Sequence, residues 1–248
     1  MITSQNSDSI MIDVNYNNWN KYYQQILNDF QFSQEMDEKS ARILDKLVTN
    51  KACYTPSFDK CIIFGAGPSI KKHIQYIKKE YDLQKYLLIA ADGATTALLE
   101  EDIIPHIIVT DLDGNMNSII KANRNGSILY IHAHGDNIDL INKYVPQLKN
   151  IIPTTQSQPT GKLENYGGFT DGDRAIHIAV YKYHMNTVIL AGMDFGTVTT
   201  KYSRPNLKEN IQEADEFKKH KLLIAEKLVA SLAEDNPKVD IINLCEKI

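Results

Sequence analysis

From Lys60 onward, short apolar segments alternate with amphipathic ones, and this alternation constrains the fold more than any other feature. The apolar segments are rich in Ile, Val, Leu and Tyr. They predict strands at 60–64, 86–91, 106–110, 128–132, 149–152, 187–191 and 238–243. The segments between them predict helices near 69–80, 94–101, 115–123, 137–148, 171–184 and 206–234. Strands that are apolar throughout are typical of a parallel sheet buried on both faces. We therefore predict an α/β fold, an open, mostly parallel, doubly wound sheet with helices on both faces.

A small helical segment is expected to precede the sheet. Residues 1–14 are polar and are expected to be loose, whereas aromatic and apolar residues at helical spacing in 16–30 predict an amphipathic helix. Ser33 is the predicted N-cap of a second helix. We predict an N-terminal helical segment over 1–55 and an α/β catalytic domain over 56–248. The aromatic helix can pack on its own core or on a partner subunit, and we expect a homodimer.

Composition excludes several classes of function. The formal net charge of −4 and the sequence pI of about 6.0 do not suit a protein that coats nucleic acid. No apolar run approaches the roughly 20 residues that span a bilayer, and the N-terminus has no basic region followed by an apolar stretch. Cys53, Cys61 and Cys245 lack metal-site spacing and are expected to be free thiols, with Cys61 in the core. We expect a cytoplasmic protein that binds small molecules and neither nucleic acid nor membranes.

Glycine and aspartate concentrate in the segments that follow the predicted strands. These segments are GAGPS (65–69), ADGA (91–94), TDLDG (110–114), HAHGDN (132–137), FTDGD (169–173) and AGMDFG (191–196). The loops at the opposite ends of the strands carry nothing comparable. Because open parallel sheets bind ligands at the carboxyl ends of their strands, this asymmetry predicts an active site at that edge.

The TDLDG motif predicts a metal site. Asp111 and Asp113 are two positions apart, so in extended chain their side chains face the same way. Two adjacent carboxylates repel each other unless a cation lies between them, and Mg²⁺ binds one or two carboxylates together with phosphate oxygens. The alternative is a turn whose aspartates cap the next helix. Asp92, in ADGA, can join the metal, bind a ribose hydroxyl or cap a helix.

The GAGPS motif suits close approach of a phosphate. Gly65 and Gly67 allow a tight turn, and Ser69 can cap the following helix, whose free N–H groups favour an anion. The alternative is a glycine turn that serves only strand–helix packing.

The later loops add cations and histidines. The HAHGDN motif offers His132, His134, Asp136 and Asn137. One of the histidines can contact a phosphate or act as a general base, Asp136 can equally cap a helix, and a zinc site is not expected. Arg174 lies in the first turn of a helix that Thr170 or Asp171 caps. A cation is disfavoured there and requires neighbouring aspartates or a ligand phosphate. Further candidates follow the next strand: Asp194, Lys201, Ser203 and Arg204. The long segment 153–166 is expected to be a functional lid.

These residues divide into three sets by expected role. The catalytic candidates are Asp111, Asp113 and Arg174. The candidates for binding nucleotide or metal are Gly65, Gly67, Ser69, Asp92, Gly93, His134, Asp136 and Lys201, and those for binding the other substrate are Asp171, Asp173 and Asp194. The metal ligands among them are Asp92, Asp111 and Asp113. Carboxylates, cations and glycine-shaped loops are the components that phosphoryl transfer requires, so we predict a Mg²⁺-dependent enzyme acting on a nucleotide or a phosphorylated substrate.

Taken together, the motifs are similar to those of a known family. GAGPS, ADGA, the Pro105–Gly114 segment ending in TDLDG, HAHGDN, GGFTDGDRA and GMDFG resemble the archaeal-type 6-hydroxymethyl-7,8-dihydropterin pyrophosphokinases, as does the helical lead-in at 15–47. The resemblance covers roughly residues 15–245. TDLDG by itself is also similar to a motif of thiamin pyrophosphokinases, whereas HAHGDN together with FTDGDRA favours the pterin family.

The resemblance implies an activity and its co-substrates. It implies transfer of the β,γ-diphosphate of ATP to the hydroxymethyl group of the dihydropterin, with release of AMP, in tetrahydromethanopterin or folate biosynthesis. It also implies Mg²⁺. The alternatives are a thiamin pyrophosphokinase and a sugar-nucleotide-dependent transferase built on the related core.

Overall fold

The computed structural model of the chain describes residues 18–248. The helices are α1 (18–30), α2 (Gln34–Leu47), α3 (Ile70–Glu80), α4 (Ala94–Leu99), α5 (Met116–Arg124), α6 (Ile138–Tyr144), α7 (Asp171–His177) and α8 (Glu216–Asp235). The strands are β1 (Lys60–Phe64), β2 (Leu87–Ala91), β3 (Ile107–Thr110), β4 (Ile128–Ala133), β5 (Ile151–Thr155), β6 (Thr187–Ala191), β7 (Val198–Thr200), β8 (Ile211–Glu213) and β9 (Asp240–Asn243). A π-helical turn, Ile178–Lys182, directly follows α7.

The main sheet is parallel throughout. Among the described residues it contains seven strands in the order β5-β4-β3-β2-β1-β6-β9. The chain moves outward from β1 to β5 and then returns to place β6 on the other side of β1, which makes the sheet doubly wound. Strands β7 and β8 form a separate antiparallel pair. The predicted fold class is confirmed.

Helices cover both faces of the sheet because side chains alternate along each strand. Ile62 and Phe64 of β1 point into a large core with α2 to α6. Cys61 and Ile63 point the other way, into a core with α7 and α8. The prediction that Cys61 is a core residue is thus confirmed, and all three cysteines are free.

Two predicted boundaries were wrong. Strand β5 extends to Thr155 and includes Pro153, which was assigned to the following loop. Proline is tolerated because β5 is an edge strand, so its missing N–H breaks no ladder hydrogen bond on that side. Helix α8 begins at Glu216, ten residues after the predicted start at 206. Its N-cap is Asp215, whose carboxylate accepts from Lys218 N at 2.7 Å, and the residues before it form β8.

The N-terminal helices pack directly on the sheet domain. Ala41 and Leu44 of α2 join the large core, and Ser33 caps α2 as predicted. Trp19 and Tyr23 of α1 are buried within the chain in a cluster with Phe169. The predicted loose segment at 1–14 and the residue Tyr16 lie outside the described residues. The two-domain division and the homodimer stay predictions.

The expected lid at 153–166 is instead a packed segment. Its residues from Leu163 to Tyr166 are buried, and the Trp19 indole donates to the carbonyl of Gln156 at 2.7 Å. The segment is therefore anchored at both ends, whereas Gln158, Thr160 and Gly161 between them are exposed. Over residues 18–248, no helix combines the length and the apolar character needed to cross a membrane.

A buried carboxylate joins the N-terminal helices to the sheet. Asp37 of α2 is 2% exposed and accepts three hydrogen bonds. The donors are Tyr23 Oη at 2.7 Å, Gln156 Nε2 at 2.7 Å and the backbone N–H of Gly135 at 2.7 Å. These bonds connect α1, the segment after β5 and the loop after β4.

We predict that Asp37→Ala is strongly destabilising. The substitution leaves three donors without their acceptor, which should lower the free energy of unfolding by roughly 3 kcal/mol or more. Equilibrium denaturant unfolding measures this change. Asp29→Ala is the matched control because Asp29 is an exposed acid on α1. Equal midpoints for the two variants would contradict the assignment of Asp37 as a structural junction.

Candidate active site

Three aspartates meet at the carboxyl ends of β2 and β3. One carboxylate oxygen from each of Asp92, Asp111 and Asp113 lies within 4.8 Å of the other two. These are the residues predicted as metal ligands, and the structure brings them together. An all-oxygen donor set of carboxylates is the kind that hard cations such as Mg²⁺ prefer.

The local backbone that pairs Asp111 with Asp113 is a tight turn and not extended chain, so the geometric reason behind the prediction was wrong. Leu112 has a φ of 72°, in the left-handed region, and its side chain is buried. Its N–H donates to Thr110 Oγ1 at 2.8 Å, and the N–H of Asp113 donates to Asp111 Oδ1 at 3.2 Å. A bulky residue in this conformation is strained, and such strain is concentrated at functional sites.

Asp92 is held from two sides. It has a φ of 38° and accepts from Thr110 Oγ1 at 2.5 Å. Gly114 lies against its carboxylate so closely that a Cβ atom there would overlap Asp92 Oδ2. A glycine at 114 is therefore required for Asp92 to keep its position.

The pKa values of the cluster show uncompensated negative charge. Burial and the charges of Asp111 and Asp113 raise the pKa of Asp92 well above its usual value. Desolvation and Asp111 raise the pKa of Asp113 to about 7. Burial would also raise the pKa of Asp111, but the hydrogen bond and charge of His134 hold it below the usual range. A cation among these carboxylates would relieve the repulsion.

His134 orients Asp111. Its Nδ1 accepts from the N–H of Asp136 at 3.3 Å, so Nε2 carries the proton and donates to Asp111 Oδ2 at 3.2 Å. Asn137 fixes the same loop by donating to the carbonyls of Asp111 (2.9 Å) and His132 (2.7 Å). His134 thus positions a carboxylate of the cluster, and Asp136 is exposed at the edge of the cavity.

The GAGPS loop approaches another loop closely. A Cβ at Gly65 or Gly67 would overlap the carbonyl of Gly192, so these glycines permit contact between the loops after β1 and β6. Ser69 starts α3 without a side-chain cap. Instead its hydroxyl donates to Asp194 Oδ2 at 2.9 Å and its N–H to the same oxygen at 3.3 Å. The carboxylate of Asp194 therefore lies at the Ser69 end of α3, and the phosphate contact stays a prediction.

Two lysines that we did not select from the sequence lie beside the aspartates. Lys218 and Lys221 lie on the first turns of α8 and line the cavity. Both lower the pKa of Asp113 by their charge. Among the described residues, neither ammonium group has a hydrogen-bond or ion-pair partner. A spacing of three residues places the two lysines on one face of a helix. Because the helix was predicted to begin at 206, they were not expected at its N-terminal end.

The predicted cations after β6 lie elsewhere. Lys201 is exposed and does not line the cavity. Arg204 forms an ion pair with Asp215 at 2.6 Å, which ties the loop after β7 to α8. The structure therefore does not bring Lys201 and Arg204 to the carboxylate cluster.

The GGFTDGDRA segment forms the other wall. Thr170 caps α7 as predicted, and Asp173 completes a capping box by accepting from the N–H groups of Phe169 (2.6 Å) and Thr170 (2.7 Å). Arg174 is 3% exposed, and its Nη2 donates to the carbonyl of Phe169 at 3.1 Å. Asp171 lines the cavity. Burial and the charges of Asp111 and Asp92 raise its pKa well above its usual value.

These residues surround a cavity of about 500 Å³. The predicted residues that line it are Gly65, Gly67, Asp92, Gly93, Asp111, Asp113, His132, His134, Asp136, Asp171, Arg174, Asp194 and Ser203. Ser69, Asp173 and Lys201 do not line it. Residues of the N-terminal segment that sequence reasoning missed complete the wall, among them Met36 and Asp37 of α2 and Phe32 between the two helices. The volume lies in the range of small-molecule sites.

By its fold and site the protein belongs to the α/β class whose ligands bind at the carboxyl ends of parallel strands. Comparison with known proteins specifies the family. A sequence model described as "6-hydroxymethylpterin diphosphokinase MptE-like" matches residues 27–200. The chain therefore belongs to the MptE-like 6-hydroxymethylpterin diphosphokinase family, which is a family of enzymes.

Three relatives carry the same name, 6-hydroxymethyl-7,8-dihydropterin pyrophosphokinase. The protein of Methanothermobacter thermautotrophicus is 48% identical over 217 residues, covering 85% of this chain and 92% of the relative. That of Methanocaldococcus jannaschii is 46% identical, covering 87% and 95%. That of Pyrococcus furiosus is 34% identical, covering 90% and 96%. The family resemblance derived from the motifs is confirmed.

We predict that Gly114→Ala weakens metal binding without changing a ligand. The added methyl group displaces the carboxylate of Asp92, and disturbing a ligand's support typically costs about 10-fold to 100-fold in metal affinity. Titration with Mn²⁺, followed by electron paramagnetic resonance, measures the change. In the control Gly196→Ala, the new methyl group meets no atom closer than 3.7 Å. Equal affinities would show that Asp92 does not bind the metal.

Proposed function

We propose that the protein transfers the diphosphate group of ATP to the hydroxymethyl group of 6-hydroxymethyl-7,8-dihydropterin, with Mg²⁺ as the metal, and releases AMP. The observation that supports this most strongly is the cluster of Asp92, Asp111 and Asp113 beside Lys218 and Lys221 in one cavity. The names of the relatives support the pterin as acceptor over thiamin or a sugar nucleotide.

The residues present fit a divalent cation. Asp92, Asp111 and Asp113 offer oxygen ligands on a scaffold that fixes each of them, and the raised pKa values of Asp92 and Asp113 indicate that positive charge is lacking there. Mg²⁺ held by these carboxylates would neutralise charge on the phosphate oxygens of ATP.

The lysines suit the remaining phosphate charge. Lys218 and Lys221 lie near the aspartates, and neither ammonium group pairs with a carboxylate among residues 18–248, although that of Lys221 lies 5.1 Å from the centroid of the Phe169 ring. Burial and the neighbouring Lys221 lower the pKa of Lys218, as expected for a cation that lacks an anion. A bound triphosphate would supply that anion.

The reaction needs positioning more than covalent chemistry. The acceptor hydroxyl attacks the β-phosphorus and releases its proton to solvent, the bond from the β-phosphorus to the α,β-bridging oxygen breaks, and AMP leaves. His134 keeps Asp111 oriented through its hydrogen bond. Most of the rate enhancement is expected from alignment of the substrates and from electrostatic stabilisation.

The function is tested by measuring AMP formed from ATP and Mg²⁺. We expect AMP with 6-hydroxymethyl-7,8-dihydropterin and none with thiamin. AMP formation with thiamin alone would support the same diphosphate transfer with thiamin as the acceptor. AMP with neither would refute the proposal and favour the sugar-nucleotide alternative.

We predict that Asp113→Asn lowers kcat by at least about 100-fold while the fold is retained. Asp113 is exposed to the cavity and contributes little to the core, so the loss should come from the metal site. Steady-state kinetics and circular dichroism measure the two effects. Asp139→Asn, on the exposed side of α6, is the control. A near-normal kcat for Asp113→Asn at saturating Mg²⁺ would show that Asp113 is not a metal ligand.

A further inference from the structure

One wall of the cavity contains two buried polar atoms that have no hydrogen-bond partner among the described residues. They are Nε2 of His132 and Nε of Arg174. The two side chains are 2% and 3% exposed, and both residues line the cavity. Buried polar groups in native proteins are nearly always paired, so two unpaired atoms on one cavity wall point to a ligand that pairs with them.

The surrounding hydrogen bonds decide what His132 offers. The hydroxyl of Thr154 donates to the carbonyl of Ile131 at 3.1 Å, so its oxygen accepts from Nδ1 of His132 at 3.3 Å. The proton is then on Nδ1 and Nε2 is an acceptor. Burial and the charge of Arg174 lower the pKa of His132 well below its usual value and outweigh the opposite effects of Asp111 and of the Gln156 side chain beside the ring, which keeps the ring neutral. The wall thus presents an acceptor, His132 Nε2, and a donor, Arg174 Nε–H.

Gln156 extends this wall. Its carboxamide nitrogen donates to Asp37 Oδ2 at 2.7 Å, which fixes the amide plane. Gln156 also lines the cavity, and its amide oxygen is a second acceptor. His132, Arg174 and Gln156 together offer one donor and two acceptors.

The aspartates predicted to bind the acceptor substrate are engaged in other contacts. Both oxygens of Asp173 accept hydrogen bonds at the start of α7. Asp194 Oδ2 holds the Ser69 loop. Asp171 lies close enough to Asp92, Asp111 and Asp113 for their charges to raise its pKa. Asp173 therefore serves the helix cap and Asp171 belongs to the acidic cluster. Asp194 is bound through one oxygen.

Apolar side chains flank the polar wall. Phe32, Met36, Phe169 and Phe217 line the same cavity. Phe169 is continuous with the polar wall because its carbonyl accepts from Arg174 Nη2. Aromatic and thioether groups of this kind pack against the faces of a planar ring.

The wall is also close to the metal site. The rings of His132 and His134 are 6.1 Å apart between centroids, and His134 contacts Asp111 directly. A bicyclic ring with its amide edge on His132 can therefore direct a substituent at its far end toward the carboxylates.

We propose that His132, Arg174 and Gln156 bind the amide edge of the acceptor's pterin ring, a recognition mode that uses no carboxylate. The ring carbonyl accepts from Arg174 Nε–H, the adjacent ring N–H donates to His132 Nε2, and the amino group donates to the amide oxygen of Gln156. This inference rests on the proposed function and names the ring subsite of the same cavity. Arg174 is then a ring-binding residue and not a phosphate contact.

Ring binding to the wild-type protein without ATP tests the proposal directly. The probes are pterin and 2,4-diaminopteridine, measured by isothermal titration calorimetry. The second compound replaces the carbonyl with an amino group, which cannot accept from Arg174, and its protonated form pairs well with carboxylates. We expect pterin to bind at least about tenfold more tightly, equivalent to about 1.4 kcal/mol. Equal or reversed affinities would overturn the proposal in favour of Asp171 or Asp194, and no binding of pterin would also overturn it.

Arg174→Lys provides a second test because it keeps the charge and removes the Nε–H group. We expect the KM for the pterin acceptor to rise at least about tenfold and the KM for ATP to stay unchanged. A rise in the KM for ATP, or a lower kcat at an unchanged KM for the acceptor, would instead assign Arg174 to the phosphates. Lys79→Ala, an exposed residue at the end of α3, is the control. If Arg174→Lys does not fold, the comparison of pterin with 2,4-diaminopteridine on the wild-type protein still tests the proposal.

The two hypotheses fail separately. Turnover of the dihydropterin with a reversed ring preference would leave the proposed function intact and refute the ring subsite. A preference for pterin over 2,4-diaminopteridine without AMP formation would support the subsite and refute the proposed reaction.

Discussion

The buried carboxylate of Asp37 joins the parts of the molecule on which the cavity depends. It is stabilised by the three hydrogen bonds that it accepts from Tyr23, Gln156 and Gly135. Each donor belongs to a different segment, so the bonds form only when α1, the loop after β4 and the segment after β5 are all in place. This requirement makes the N-terminal helices part of the site and fixes the amide of Gln156 at the cavity wall.

In the same cavity, the fold holds three carboxylates together despite their mutual repulsion. Asp92, Asp111 and Asp113 are kept together by the hydroxyl of Thr110, by the left-handed turn at Leu112 and by the missing side chain at Gly114. The left-handed turn at Leu112 costs stability, and the glycine at 114 restricts the sequence. A free chain would separate the three charges, so the site is organised before any cation binds.

Much of this site could be predicted from the sequence because parallel strands place their carboxyl ends at one edge. Position after a strand was enough to identify Asp92, Asp111, Asp113, His134 and Asp194 as neighbours of one cavity. It was not enough for Asp173, which a capping box removes from the cavity, or for Ser69, which binds Asp194. Lys218 and Lys221 were missed because the start of α8 depends on β8 pairing with β7, a contact between separate segments.

The sequence by itself determined the strand–helix order, the doubly wound parallel sheet, the edge that carries the site and the family. Apolar periodicity and motif spacing are local properties, and a local pattern is sufficient for these conclusions. Only the tertiary structure decided which polar groups are satisfied by the protein and which remain available to a ligand. Hydrogen-bond satisfaction depends on partners distant in the chain, such as Thr154 for His132 and Asp37 for Gln156, and no spacing in the sequence encodes it.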